Sequence, residues 1–330
     1  MRRVPQFVIG ALVGVLAAAC SPACTPPEAK SPGTDQPRGP KAKGKSADGP
    51  SGDGVGKKAA AMAEHDKKRA ELPKGEMLMD APGVDTSKLS EAQRTVFFQI
   101  INTEPSACDK PHSMARSLSD DPGCRDSKIA AQFVSDALGS GAPASAIKHD
   151  LPLVVQALVP KDIDVEGRPI YGSERAPVTV VVFADFQCPH CRAEAPMLRK
   201  AVDTYRGRAR LIYKHFPLTG HDRAKVAAIA TEAAHEQGKF WEMHDLVFEN
   251  QDDLSDAKLY AFADRIGLDV PKFKASFSAN KGKSVVEKDK ADGEKLGISG
   301  TPAVFVNGRE VIPALFGGSL TAWIDDALKR

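Results

Sequence analysis

The sequence predicts an α/β fold with a helical insertion, and three observations carry that prediction. Val178-Thr-Val-Val-Val-Phe183 is a nearly continuous β-branched run, the signature of a strand buried on both faces. A turn bearing Cys188 follows it, then helical composition over 192–205 and a second strand over 209–213, which makes a β-α-β unit. The chain closes with Gly300-Thr301-Pro302, a strand over 303–306, an Asn307-Gly308 turn, a strand over 309–312 and a helix from Ser319. Between these two parts, 221–250 reads as two helices broken near Gly238, and 255–266 and 270–277 continue the helical insert.

The N-terminal half is organised differently. Arg2 and Arg3 precede an apolar run from Phe7 to Ala19, about the length of a signal-peptide core and too short for a comfortable membrane span. Leu16-Ala-Ala-Ala-Cys20 is similar to a bacterial lipobox, with Cys20 as the lipidated residue; cleavage after Ala17-x-Ala19 is the alternative. Segment 1–20 is therefore an export signal. Segment 21–85, rich in Pro, Gly, Lys and Ser, lacks the apolar content to offset ordering and is expected to be a disordered tether, with 59–72 as either a short polar helix or more tether. From Ser21 to about Lys58, such a coil spans typically ~30–40 Å.

Order is expected to begin near Leu89. Ser90 and Gln93 make a capping-box pattern ahead of Val96, Phe97, Ile100 and Ile101 at helical spacing. Further helices fit 126–138 and 144–158, the latter weakened by Pro152. Segment 86–160 is thus a small helical module, stapled by Cys108 and Cys124, and 161–330 the α/β domain, opening with a strand candidate over 162–165. The formal charge of +2 is nearly balanced and no basic stripe is interleaved with aromatics, so nucleic acid is not an expected partner.

An exported chain can carry disulfides, which gives its six cysteines meaning. Cys20 is assigned to lipid, Cys108/Cys124 and Cys188/Cys191 form two pairs, and Cys24 is left over. In Cys188-Pro189-His190-Cys191 the first sulfur lies at a helix N-terminus, where free N–H groups favour the thiolate, the nucleophilic form. Pro189 suits the first helical turn, and His190 adds a second source of thiolate stabilisation. Cys188 is expected to attack and Cys191, deeper in the helix, to resolve the mixed disulfide. The competing readings are a zinc site, for which a second pair of ligands is missing, and an inert disulfide, for which so short a loop gives little cross-linking entropy. Asp185 and Glu194 flank the motif as carboxylates near the second sulfur.

Phe183-Ala-Asp-Phe-Gln-Cys-Pro-His-Cys191 resembles the DsbA-like branch of the thioredoxin-fold oxidoreductases. Tyr213-Lys-His-Phe-Pro-Leu218, Gln237-Gly-Lys-Phe-Trp-Glu-Met-His244 and Gly300-Thr-Pro-Ala-Val-Phe-Val306 extend the resemblance over about half of the chain. It implies a thioredoxin-like fold, a redox-active Cys188–Cys191 disulfide in place of any cofactor or metal, and a cis-proline loop at Thr301-Pro302 that receives an extended client segment. The implied partners are client proteins with thiols or disulfides and a redox protein that recycles the pair, and the implied location is periplasmic with a lipid anchor in a membrane. His190 favours action as an oxidant; a reductase or isomerase of specific clients, and a non-enzymatic tethered chaperone, are the alternatives. Pro196 is similar to the kink proline of thioredoxin itself. The segment around Cys108 and Cys124 resembles a cysteine-bearing helical module that precedes DsbA-like domains. It implies either a structural disulfide, worth about 3 kcal/mol by loop entropy, or a redox relay to Cys188.

Overall fold

The computed structural model describes residues 53–73 and 75–330. The expected export signal, Cys20, Cys24 and the first part of the tether lie outside the described residues. Five helices come first: α1 (Asp53–Ala70), α2 (Glu91–Thr103), α3 (Met114–Asp120), α4 (Arg125–Gly139) and α5 (Ala144–Leu158). The Ser90/Gln93 capping box forms at the start of α2 as its sequence pattern requires, and Pro152 is accommodated inside α5. Phe97, Ile100, Ile101, Val134 and Leu151 interlock in an apolar cluster of these helices.

Helix α1 corrects the expectation of a disordered tether over 21–85 and decides the open alternative at 59–72 for a helix, which begins earlier, at Asp53. Local composition gives it no reason to be ordered; distant partners do. His65 is buried and pairs with the fully buried Glu104 at 2.8 Å, and Arg69 reaches the same carboxylate at 3.4 Å. Beyond α1, the Asn102 side chain receives a hydrogen bond from the Leu78 N–H and returns one to its carbonyl. A segment whose anchors lie 24 or more residues away cannot be read as ordered from its own composition.

The rest of the chain builds one sheet. Strands β1 (Ile170–Gly172), β2 (Val178–Ala184), β3 (Ala209–His215), β4 (Ala303–Val306) and β5 (Arg309–Glu310) lie in the order β1-β3-β2-β4-β5. Only β2 and β3 are parallel, joined by the crossover helix α6 (Pro189–Thr204). The strand candidate at 162–165 is not a strand. Its Ile163 and Val165 instead pack against the apolar cluster of Phe183 and Phe216, and the edge strand is β1. The Asn307-Gly308 turn has positive φ at both residues, 46° and 81°, which a primed two-residue hairpin turn demands.

Between β3 and β4 run α7 (Ala224–His235), α8 (Phe240–Glu249), α9 (Asp256–Arg265), α10 (Val270–Ser278) and α11 (Lys283–Leu296); α12 (Leu320–Ala327) ends the chain. Helices α3 and α11 went unread in the sequence. Charged residues dominate α11, and Gly293 permits it to sit on the sheet, since a Cβ there would meet the Phe216 ring at 2.6 Å. The helical segment and the α/β segment belong to one compact unit. Val154 and Leu158 of α5 share the main core with the sheet, Arg309 donates to the Leu158 carbonyl at 2.6 Å, and Arg125 pairs with Asp326 at 2.7 Å.

Candidate active site

The two cysteines of the motif sit where β2 gives way to α6. Cys188 is the N-cap of α6 with extended backbone (φ −74°, ψ 121°), Pro189 occupies the first turn, and Cys191 is the third helical residue. Both are free thiols. Exposure does not separate them as the sequence suggests: Cys188 is 4% exposed and Cys191 2%. Their surroundings do. The Cys188 thiol donates to the Thr301 carbonyl at 3.3 Å, at the edge of the fold. The Cys191 sulfur lies within an apolar slot and accepts a hydrogen bond from the Asp185 N–H at 3.5 Å. Burial pushes the Cys191 thiol up to about 12, so it is protonated at neutral pH.

The loop is held by side chains that the motif alone does not reveal. Gln251 donates to the carbonyls of Phe186 (2.7 Å) and Cys188 (3.0 Å). Asp185 accepts from the N–H groups of Gln187 (2.6 Å) and Leu218 (2.7 Å) and pairs with His221 at 2.8 Å. Its lone pairs are committed to shaping the turn. Thr301-Pro302 is a cis peptide beside Cys188, with the Thr301 hydroxyl buried and turned to the Cys191 thiol. His190 is exposed on α6 and makes no hydrogen bond or ion pair among the described residues. Pro189 is exposed beside it, and Pro196 lies within α6.

Residues 164–326 match the thioredoxin family model. They contain the β-α-β unit, the Cys-x-x-Cys turn and the cis-proline loop. This region has the thioredoxin-like fold of that family. Among curated relatives, a Na(+)/H(+) antiporter NhaA 3 of Salinispora tropica is 41% identical over 157 residues, 47% of this chain and 24% of the relative. The chain thus spans about a quarter of the length of such relatives. Among solved structures, BdbD from Bacillus subtilis is 26% identical, with a TM-score of 0.47, over 52% of this chain and 98% of that one. Pseudomonas aeruginosa DsbA2 is 25% identical, with a TM-score of 0.42, over 51% of this chain and 96% of that one.

Strand alternation along β3 sends Lys214 to the opposite face from Tyr213 and His215. Lys214 points to α11, where it is buried and bonded to Asp292 (2.8 Å), Asp289 (3.2 Å) and the Asp164 carbonyl (2.6 Å). Tyr213 and His215 face the redox turn. His215 pairs with Glu232 at 2.8 Å. The Tyr213 hydroxyl is buried without a partner, and burial raises it well above the usual tyrosine range. His244 of α8 is caged by Phe186, Tyr213, Phe240, Trp241 and Phe248. Burial brings it down to about 4, so its ring is neutral at pH 7. For His244 a sequence signal exists, since it shares a helical face with Phe240, Trp241 and Phe248; Tyr213 is placed by its register with Val182 of β2, which the fold alone sets.

Cys108 and Cys124 are bonded to each other, with Cα atoms 6.0 Å apart. Among the described residues no group of three or more His, Cys, Asp or Glu side chains is placed to hold a metal ion, and no helix is long and apolar enough to cross a membrane.

Proposed function

We propose that the chain exchanges disulfides with client proteins outside the cytosol, most of all as an oxidant. Cys188 is the attacking and attacked sulfur, and Cys191 the resolving one. The observation that carries this reading is the asymmetry of the pair. Cys188 stands at a helix start against the Thr301 carbonyl, while Cys191 is a buried thiol held near 12. A buried resolving sulfur is shielded from clients but stays within reach of Cys188, so a mixed disulfide is broken from inside. In this reading Pro189 and His190 set the thiolate character of Cys188. The Thr301-Pro302 loop receives an extended client strand, and the redox-active disulfide serves without a cofactor or metal.

The same reading places the domain in the periplasm, exported by segment 1–20 and anchored to a membrane through lipid on Cys20, with a redox partner that recycles the pair. Cys108–Cys124 then acts as a structural staple of the helical segment. The oxidant direction is tested by the reduction potential of Cys188/Cys191 together with oxidative refolding of a reduced client. A potential at the oxidising end and refolding that needs Cys188 support it. A thioredoxin-like potential makes the protein a reductant of its clients.

A further inference from the structure

Resolution by Cys191 raises a proton problem. A thiol held near 12 must lose its proton as it attacks Cys188, or gain one as it leaves. The inward face of β2 beside it is apolar, with Val182 and Ala184 in the slot. Asp185 is committed to two amides and His221. The residues lining the slot include His244 and Tyr213, whose hydroxyl is buried and unpartnered, and the slot has about 10 Å³ of room, the size of a single water; the Thr301 hydroxyl reaches Cys191 from the cis-proline loop.

We propose that His244, with Tyr213 and one water in this slot, is the proton route of Cys191; the inference rests on Cys191 being the resolving thiol. The ring is built for transfer without becoming charged. Its Nδ1 lies 2.9 Å from Asp245 Oδ1, which accepts from an Nδ1–H, and 3.3 Å from Arg199 Nη2, which donates to a bare Nδ1. Each neutral tautomer therefore has a partner. Nε2 has no hydrogen-bond partner among the described residues. His244 and Asp245 also line a surface groove of about 630 Å³, so the relay ends in solvent. The charged and titratable groups around the ring are Asp245, Arg199, His215 and Tyr213, with Glu194 across the slot.

The step balances as follows. Cys188 thiolate attacks a client disulfide, whose S–S bond breaks; one client sulfur leaves as thiolate and takes a proton from solvent. Cys191 Sγ then attacks Cys188 Sγ. The Cys188–Cys191 bond forms, the Cys188–client bond breaks, and the second client sulfur leaves as thiolate. As it does so, the Cys191 proton passes through the water to His244 Nε2 while the Nδ1 proton passes to Asp245. Two enzyme thiols are oxidised and one client disulfide is reduced; client oxidation runs the same path backwards.

The test follows both releases of nitrothiobenzoate from dithiobis-nitrobenzoate (DTNB) by stopped flow with the full-length Cys20→Ser/Cys24→Ser protein, its Cys188/Cys191 pair reduced and its Cys108–Cys124 bond intact. The first release reports attack by Cys188 and the second reports resolution by Cys191. His244→Phe, which keeps the aromatic packing, is expected to slow the second release on the order of 100-fold at neutral pH. The gap should narrow as pH rises, because hydroxide then removes the proton directly. Tyr213→Phe should slow it less, and Glu194→Gln should leave it within about twofold. His244→Gln, which hydrogen-bonds but cannot switch tautomers, repeats the test if His244→Phe does not fold. An unchanged second release in the His244 variant at every pH overturns the route, as does a Glu194→Gln defect equal to that of His244. Failure of the exchange reading itself looks different: the wild type would show no second release, or Cys188→Ser would still show the first.

Discussion

The protein holds two cysteine pairs that differ in almost everything except chemistry. Cys108 and Cys124 are 16 residues apart and bonded, and they tie the α2–α3 connection to the start of α4. Cys188 and Cys191 are three apart and free, at the start of one helix beside a cis-proline loop. Cross-linking a long loop restricts the unfolded chain substantially, whereas closing a two-residue loop restricts it little. On the proposed reading the first pair therefore stabilises and the second reacts. The immediate surroundings of Cys191 agree: it faces a slot lined also by Tyr213, whose hydroxyl has no partner, and by the neutral imidazole of His244.

The sharpest way to break this comparison is to remove one sulfur of each pair. Cys188→Ser is expected to bring client oxidation and reduction to background, and Cys191→Ser to retain attack but leave the client bound as a mixed disulfide. Insulin reduction and non-reducing electrophoresis read the two outcomes. Replacing Cys108 and Cys124 together by Ala should cost about 3 kcal/mol of stability in denaturant unfolding and leave exchange rates unchanged. A loss of exchange in that variant would make the helical pair a redox relay and erase the distinction drawn between them.

A pH titration sharpens the comparison on the side of the reactive pair. His244 is held near 4 in the fold, below the ordinary 6.5, so the unfolded chain binds more protons between those values. Stability associated with its neutral burial is present above pH 6.5 and is lost as pH falls toward 4, by up to about 3 kcal/mol. Denaturant unfolding of the wild type and His244→Phe over that range should show the variant missing this part of the acid sensitivity; parallel curves would contradict it. The smallest effect is expected at His190. It is exposed and unpaired among the described residues. His190→Ala should change the rate of Cys188 alkylation by no more than a few-fold, roughly the effect of one exposed side chain near a helix end.

Sequence pattern carried the elements whose cause is local. The β-branched run of β2, the Ser90/Gln93 box, the Asn307-Gly308 turn and the Cys188-x-x-Cys191 turn are all written within a few residues of themselves. What stayed hidden is non-local. Helix α1 is ordered through Glu104, far along the chain, and α11 is anchored through Lys214 on a strand whose composition gives no hint of a buried cation. The candidate site divides in the same way. Both cysteines and Thr301-Pro302 were legible, because two short motifs contain them. Tyr213, His244 and Gln251 reach the slot and the loop from a strand and the insert, and only the folded chain brings them to the pair.

The central claim is that Cys188 is the sulfur that meets clients while Cys191 waits inside. The most direct test incubates the Cys191→Ser protein with an oxidised client such as insulin, quenches in acid and maps the adduct by mass spectrometry without reduction. The account predicts a mixed disulfide on Cys188 alone, with Cys108–Cys124 intact. An adduct on any other cysteine, or none at all while the wild type remains active, would contradict it.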